Sequence, residues 1–230
     1  MSRSGIPATR HEAQELVVLF SRRLLAEHLV YYTAGNISTR IGDEPGHVAV
    51  TPGSTAYDTL RPEDIVIVDL DGHVVEGRLR PTAELPLHTL AYRDRPDVGA
   101  IVHTHSPAAM AMAAMGMDLP PILHGLIAAC GGGITTAPYA RGATDEMARF
   151  TAEPLRHRSA CLLRNHGTLA IGPNVEHAYN AACVVEGVAD AYLRARAFGA
   201  VPEVPAEDVE RIRTEQWMPA WASEGPSHRG

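Results

Sequence analysis

The stretch IVIVDLDGHVV, residues 65–75, is the segment on which the fold turns. A run of mostly β-branched residues ends at Leu70, Asp71-Gly72 follows, and Val74 and Val75 resume it. That is the pattern of two strands folded back on each other, because Asp-Gly favours the primed turns whose twist matches paired strands. Antiparallel pairing is therefore expected here. Upstream, short apolar pieces at about 37–41 and 48–51 are divided by Gly, Asp and Pro, too brief for helices and read as strands. Before them, Thr9 and Glu12 form a Thr-x-x-Glu capping box. Leu16, Val17, Leu19, Phe20, Leu24, Leu25 and Leu29 then recur at helical spacing, which predicts a helix over 10–30.

Downstream, Thr82 is expected to cap a helix that ends near Arg93 and carries Glu84, Leu87, His88 and Ala91 on related faces. Residues 98–102 read as a buried strand running into His103, and Ser106-Pro107 as the start of the next helix. Thr144 opens a helix to about Arg156. Residues 160–163 and 169–171 are strands, and Pro173 begins a long Ala-rich helix that Gly199 ends. Strands that arrive as hairpins and neighbours predict an α/β fold: a three-layer α/β/α sandwich with a mostly antiparallel central sheet. A parallel barrel is disfavoured. At 230 residues the chain reads as one domain over 1–230, with 201–230 as a C-terminal helix and tail.

Composition removes several chemistries. All 20 basic residues are Arg and no Lys occurs, which excludes Schiff-base aldolases, pyridoxal phosphate enzymes, P-loop hydrolases and kinases. A formal charge of -7 repels nucleic acid and anionic lipid, so neither is an expected partner. Cys130, Cys161 and Cys183 lack paired spacing, and MSRSGIPATR lacks the apolar core of a secretory signal. Both point to reduced thiols in a cytoplasm. The longest apolar stretch, 108–117, falls well short of the roughly 20 residues that span a bilayer as a helix.

The chemistry gathers at histidines. In His103-Thr104-His105, residues two apart on a strand project from one face, so two imidazoles can share a cation. His166, in the tight link Arg164-Asn165-His166-Gly167 between two apolar strands, offers a third nitrogen. Glu84, near a helix N-terminus that favours a carboxylate, offers a fourth ligand. Three imidazoles with one exchangeable position suit a catalytic divalent ion, Zn2+ first, with Mn2+ or another divalent metal as the alternative. Gly35-Asn36-Ile37-Ser38, Thr51-Pro52-Gly53-Ser54 and the helix start at Thr82 are places where amides and small hydroxyls could cradle phosphate or carboxylate.

Five motifs in order resemble the class II aldolase and adducin head-domain family, which includes fuculose-phosphate aldolase. They are Gly35-Asn36-Ile37-Ser38; Pro62-Glu63-Asp64-Ile65-Val66 leading to Asp71-Gly72; Glu76-Gly77 through Pro81-Thr82-Ala83-Glu84; Val102-His103-Thr104-His105; and Asn165-His166-Gly167. The resemblance spans about residues 10–215. It implies zinc held by His103, His105 and His166, with Glu84 as a resting ligand that leaves to act as base. It also implies a phosphate site of Asn36, Gly53, Ser54, Thr82 and Ala83, and a homotetramer with active sites at subunit interfaces. The implied reaction is retro-aldol cleavage of a small ketose phosphate, or a related hydroxy-keto substrate, through a zinc-bound enediolate.

The chain departs from that pattern in three places. Gly53 precedes Ser54 where a hydroxyl residue precedes Gly, Thr82-Ala83 replaces a pair of serines, and Leu123-His124-Gly125 lacks the tyrosine that donates a proton. His124 or Tyr139 is then the possible donor. Decarboxylation of a keto acid, with Arg164 pairing the carboxylate, is the nearest alternative. A ribulose-phosphate 4-epimerase is demoted because position 84 is Glu, not Asp. A non-catalytic adducin-like module is disfavoured because all four expected ligands are kept.

Overall fold

The computed structural model describes residues 5–218, 220 and 221. Its first helix, α1 (Arg10–Ala26), starts on the expected capping box: Thr9 accepts from the Glu12 amide and the Glu12 carboxylate accepts from the Thr9 amide. Then come β1 (Asn36–Ile41), β2 (Glu44–Val50), β3 (Val66–Asp69) and β4 (Val74–Glu76). The second half holds α2 (Leu85–Asp94), β5 (Ala100–Thr104), α3 (Pro107–Met115), α4 (His124–Cys130) and β6 (Thr136–Ala137), followed by α5 (Asp145–Leu155), β7 (Ala160–Leu163), β8 (Gly167–Gly172), α6 (Val175–Arg196) and α7 (Ala206–Ile212). The C-terminal helix expected after 201 is present as α7 with a π-helical turn, Arg213–Trp217. The remainder of the expected tail, 222–230, lies outside the described residues.

All eight strands form one sheet in the order β4-β3-β2-β1-β5-β8-β7-β6. The sheet is mixed: β6 pairs parallel to β7, and the other neighbours pair antiparallel. The parallel edge follows from connectivity, because β6, α5 and β7 are consecutive and a helical crossover returns the chain in the same direction.

Strand alternation sorts side chains between two cores. Ile37, Ile67, Ala100, Val102, Leu162 and Ala170 face α1, α3, α4 and α6. Val50, Val66, Val68, Ile101, Leu163 and Ile171 face α2 and α5. Helices thus cover both faces of the sheet, and side chains of odd parity on β5 point towards α2.

Three local expectations are corrected. The hairpin turn has a positive φ only at Gly72, not at the consecutive pair a primed Asp-Gly turn needs. The Asp69 carboxylate accepts from the amides of Asp71 and His73 and sets another geometry. Helix α2 begins at Leu85 with Glu84 in the cap position, its side chain turned away from the helix amides. The long helix is capped by Asn174, which accepts from the His177 amide, so Pro173 precedes the cap. Helix α4 and strand β6 were not predicted.

Candidate metal centre

Strands β1 and β5 run side by side with Asn36 opposite His103 and Ser38 opposite Ile101. This register places Asn36, Ser38 and His103 on the α2 face of the sheet. Gly35 permits the close approach: a Cβ there would stand 2.6 Å from the His103 carbonyl oxygen, and its φ of +84° is one that L side chains rarely adopt. On the other flank, a Cβ on Gly167 would stand 2.2 Å from the Thr104 carbonyl oxygen. Both neighbours of β5 are thereby drawn in tightly around the His-x-His pair.

His103 is fully buried, and its Nδ1 lies 2.9 Å from the Thr168 carbonyl oxygen. A carbonyl only accepts, so Nδ1 carries a hydrogen and Nε2 is the nitrogen turned to the other rings and Glu84. That nitrogen stands 2.9 Å from His105 Nε2. The rings of His103, His105 and His166 are mutually equidistant, with centroids 4.8 Å apart in every pair. Glu84 completes the group: Oε2 is 3.1 Å from His103 Nε2 and Oε1 is 3.1 Å from His166 Nε2. Asn36 Nδ2 donates to Glu84 Oε2 at 2.8 Å.

Ligands about 2.0–2.1 Å from a tetrahedral zinc stand about 3.3 Å from one another. The measured separations of 2.9 and 3.1 Å are close to that, so the four side chains fit one divalent ion. An imidazole-rich set favours zinc-like ions over calcium or magnesium, which prefer all-oxygen shells.

The electrostatics agree. Burial pushes the Glu84 carboxyl up, but His103 and His166 beside it outweigh burial and hold it far below the usual carboxylate range. Burial opposes protonation of His103, yet Glu84 wins and raises its proton affinity; the same negative field would attract a cation. His105 is drawn down to about 3 by burial and by the neighbouring rings, so it stays a neutral donor.

The expected phosphate cradle is only partly free. Gly53 gives its amide to the Arg80 carbonyl and Thr82 gives its amide to the Thr51 carbonyl, which stitches the two loops together. The amides of Ser54 and Ala83 take no part in that stitch. Ser54 sits at a φ of 56°, and Thr82 Oγ1 accepts from the Glu84 amide at 3.3 Å. The two suggested proton donors are not brought to the rings. His124 pairs with Gln216 at 3.1 Å, and Tyr139 is 62% exposed. The Arg164 guanidinium lies where a Cβ on Gly116 would be, at 2.9 Å. Asp69, Asp71 and His73 form a second group of possible ligands, but on an exposed turn where Asp69 already serves the backbone.

Sequence reasoning placed Ser38 in a candidate anion loop and His88 on the helix of Glu84, but it missed Tyr92 and the series in which His88, Ser38 and Tyr92 continue from Asn36 beneath Glu84. The available signal was spacing: His88 stands four residues after Glu84, and Ser38 two after Asn36.

Residues 15–193 match the class II aldolase and adducin N-terminal domain family. A 5-deoxy-D-ribulose 1-phosphate aldolase of Bacillus thuringiensis serovar kurstaki is 36% identical over 199 residues, 86% of this chain and 92% of the relative. A 5-methylthioribulose-1-phosphate/5-deoxyribulose-1-phosphate aldolase of Rhodospirillum rubrum is 34% identical over 208 residues, 90% of this chain and 92% of the relative. Among solved structures, an L-fuculose 1-phosphate aldolase superposes with a TM-score of 0.86 at 31% identity, covering 92% of this chain and 98% of that one. The extent of these matches and the fold they share lead to one conclusion: the chain belongs to the class II aldolase and adducin family.

Proposed function

We propose that this chain is a divalent-metal-dependent lyase that cleaves the C3–C4 bond of a small ketose 1-phosphate, with a 5-deoxypentulose 1-phosphate as its first candidate substrate. The observation that carries the reading is the convergence of three imidazole nitrogens and one carboxylate on a common point. His103, His105 and His166 would hold zinc, or another divalent ion, through Nε2. When bound, the ion supplies Lewis acidity against the negative charge that develops on the substrate carbonyl oxygen.

The chain's own groups do the rest. Glu84, held ionised by its neighbours, takes the proton from the C4 hydroxyl as the C3–C4 bond breaks. The Ser54 and Ala83 amides, with Gly53 and Thr82 framing the loops and Asn36 beside them, receive the phosphate. The absence of Lys removes the Schiff-base route to the same cleavage. His124 or Tyr139, both on the surface, would return the one proton to C3 across a subunit boundary in the cytoplasmic homotetramer that this reading includes. Among the described helices none is long and apolar enough to cross a membrane. The chain is read as one domain over 1–230.

The test is a panel of 5-deoxyribulose 1-phosphate, L-fuculose 1-phosphate and keto acids, each assayed with zinc, with manganese and with chelator. Release of dihydroxyacetone phosphate and an aldehyde, lost on chelation, is the expected result. Carbon dioxide from the keto acids and no ketose cleavage would overturn it in favour of decarboxylation.

A further inference from the structure

Beneath Glu84 a buried series of side chains continues away from the rings. Asn36 is 2% exposed, Tyr92 1%, and Ser38 and His88 are fully buried. His88 Nε2 meets Asn36 Oδ1 at 2.5 Å, His88 Nδ1 meets Ser38 Oγ at 2.7 Å, and Ser38 Oγ meets the Tyr92 hydroxyl at 2.8 Å. With the bond from Asn36 to Glu84, four contacts join β1 and α2 in one line.

The chemistry of each group sets the direction of every bond. Ionised Glu84 only accepts, so the amide nitrogen of Asn36 faces it and the amide oxygen faces His88. That oxygen only accepts, so the hydrogen of His88 sits on Nε2. Burial pushes the His88 imidazolium down to about 3, so Nδ1 is bare and takes the Ser38 hydroxyl hydrogen. Ser38 Oγ in turn accepts from the Tyr92 phenol, which burial keeps protonated. All four bonds run from Tyr92 towards Glu84.

We infer that His88, as the neutral Nε2–H tautomer, is a positioning residue: it selects which end of the Asn36 amide meets Glu84 and so fixes the Glu84 carboxylate against the histidine cluster. The opposite tautomer would present a lone pair to Asn36, turn its oxygen onto Glu84, and leave two acceptors in contact. The series orients and does not relay protons, because the Asn36 amide at its last link does not titrate. The importance of Glu84 rests on the functional reading above; the tautomer itself does not.

The experiment is long-range proton–nitrogen NMR on protein labelled with 15N-histidine, with the His88 signals identified by their loss in His88→Gln. The expected spectrum shows Nε2 protonated and Nδ1 bare, unchanged between about pH 6 and pH 9. Two variants extend it. His88→Leu fills the space without a donor, whereas His88→Gln still offers an N–H to Asn36. H88L should weaken zinc binding, read by chelator competition, and lower kcat, each by about 10- to 100-fold, and H88Q should recover most of both.

An Nδ1–H tautomer or an imidazolium in the wild type would overturn the inference, as would a folded H88L with wild-type zinc affinity, or an H88Q no better than H88L. If H88L does not fold, the wild-type tautomer and the zinc affinity of H88Q decide. A protein that cleaves no ketose phosphate, yet shows the expected tautomer and variant-dependent zinc affinity, would overturn the functional reading and leave the role of His88 standing.

Discussion

The two nitrogens of His103 have different work: Nδ1 is anchored on the Thr168 carbonyl, and Nε2 faces His105 and Glu84. Removing the ring removes both the anchor and one of the proposed ligands. His103→Ala should therefore abolish stoichiometric zinc binding and turnover in a folded protein, whereas His157→Ala, on an exposed surface, should keep both. Metal analysis beside circular dichroism checks this, and equal effects of the two substitutions would contradict the assignment. At this scale the sequence was most informative where residues are close along the chain. His103 and His105 announce themselves by a spacing of two, because strand geometry turns that spacing into one shared face. The contact between Asn36 and His88 gave no comparable sign. Their partnership exists only because β1 packs against α2, and no local spacing encodes the distance between two elements 52 residues apart.

Gly167 shows how one element depends on the shape of another. At the start of β8, a Cβ here would meet the Thr104 carbonyl oxygen at 2.2 Å and His105 Cδ2 at 3.0 Å. Gly167→Ala should force β8 off β5, costing about 1–3 kcal/mol as overpacking does. It should also weaken zinc binding, because His105 lies under the clash and His166 is the preceding residue. Urea unfolding and a metal titration on the same sample measure both. A variant that lost stability while keeping full zinc affinity would show that the strand spacing does not hold the rings. Elements with strong periodicity or caps were legible: α1 by its capping box, α5 by Thr144, and the β3–β4 pairing by its Val and Ile run. Helix α4 was not. Its seven residues make only about two turns, the first of them holding Gly125, and its burial of Leu126, Ile127 and Cys130 comes from packing on α6 and not from an amphipathic repeat. Strand β6, two residues long, has no periodicity to read.

Across the whole molecule the four expected ligands come from three separated places: the cap of α2, the end of β5, and the turn between β7 and β8. An ion gripped there ties those places together, and by mass action it stabilises the folded state by about 2.7 kcal/mol at a concentration 100 times its Kd. For a chain of this size that corresponds to a rise in Tm of roughly 5–10 °C. Calorimetry with zinc and then with chelator should show the rise and its reversal, and an unmoved Tm would count against binding at the rings. The sheet order carries a last consequence. Strands β1 to β4 build one flank and β5 to β8 the other, joined where β1 meets β5. As the ribosome delivers the chain, the first flank can assemble early with Asn36 and Glu84 already in hand. The imidazoles arrive later, and the last of them waits for a hairpin some 60 residues beyond β5. The complete set of four expected ligands thus exists only once residue 166 has left the ribosome, with more than two thirds of the chain made.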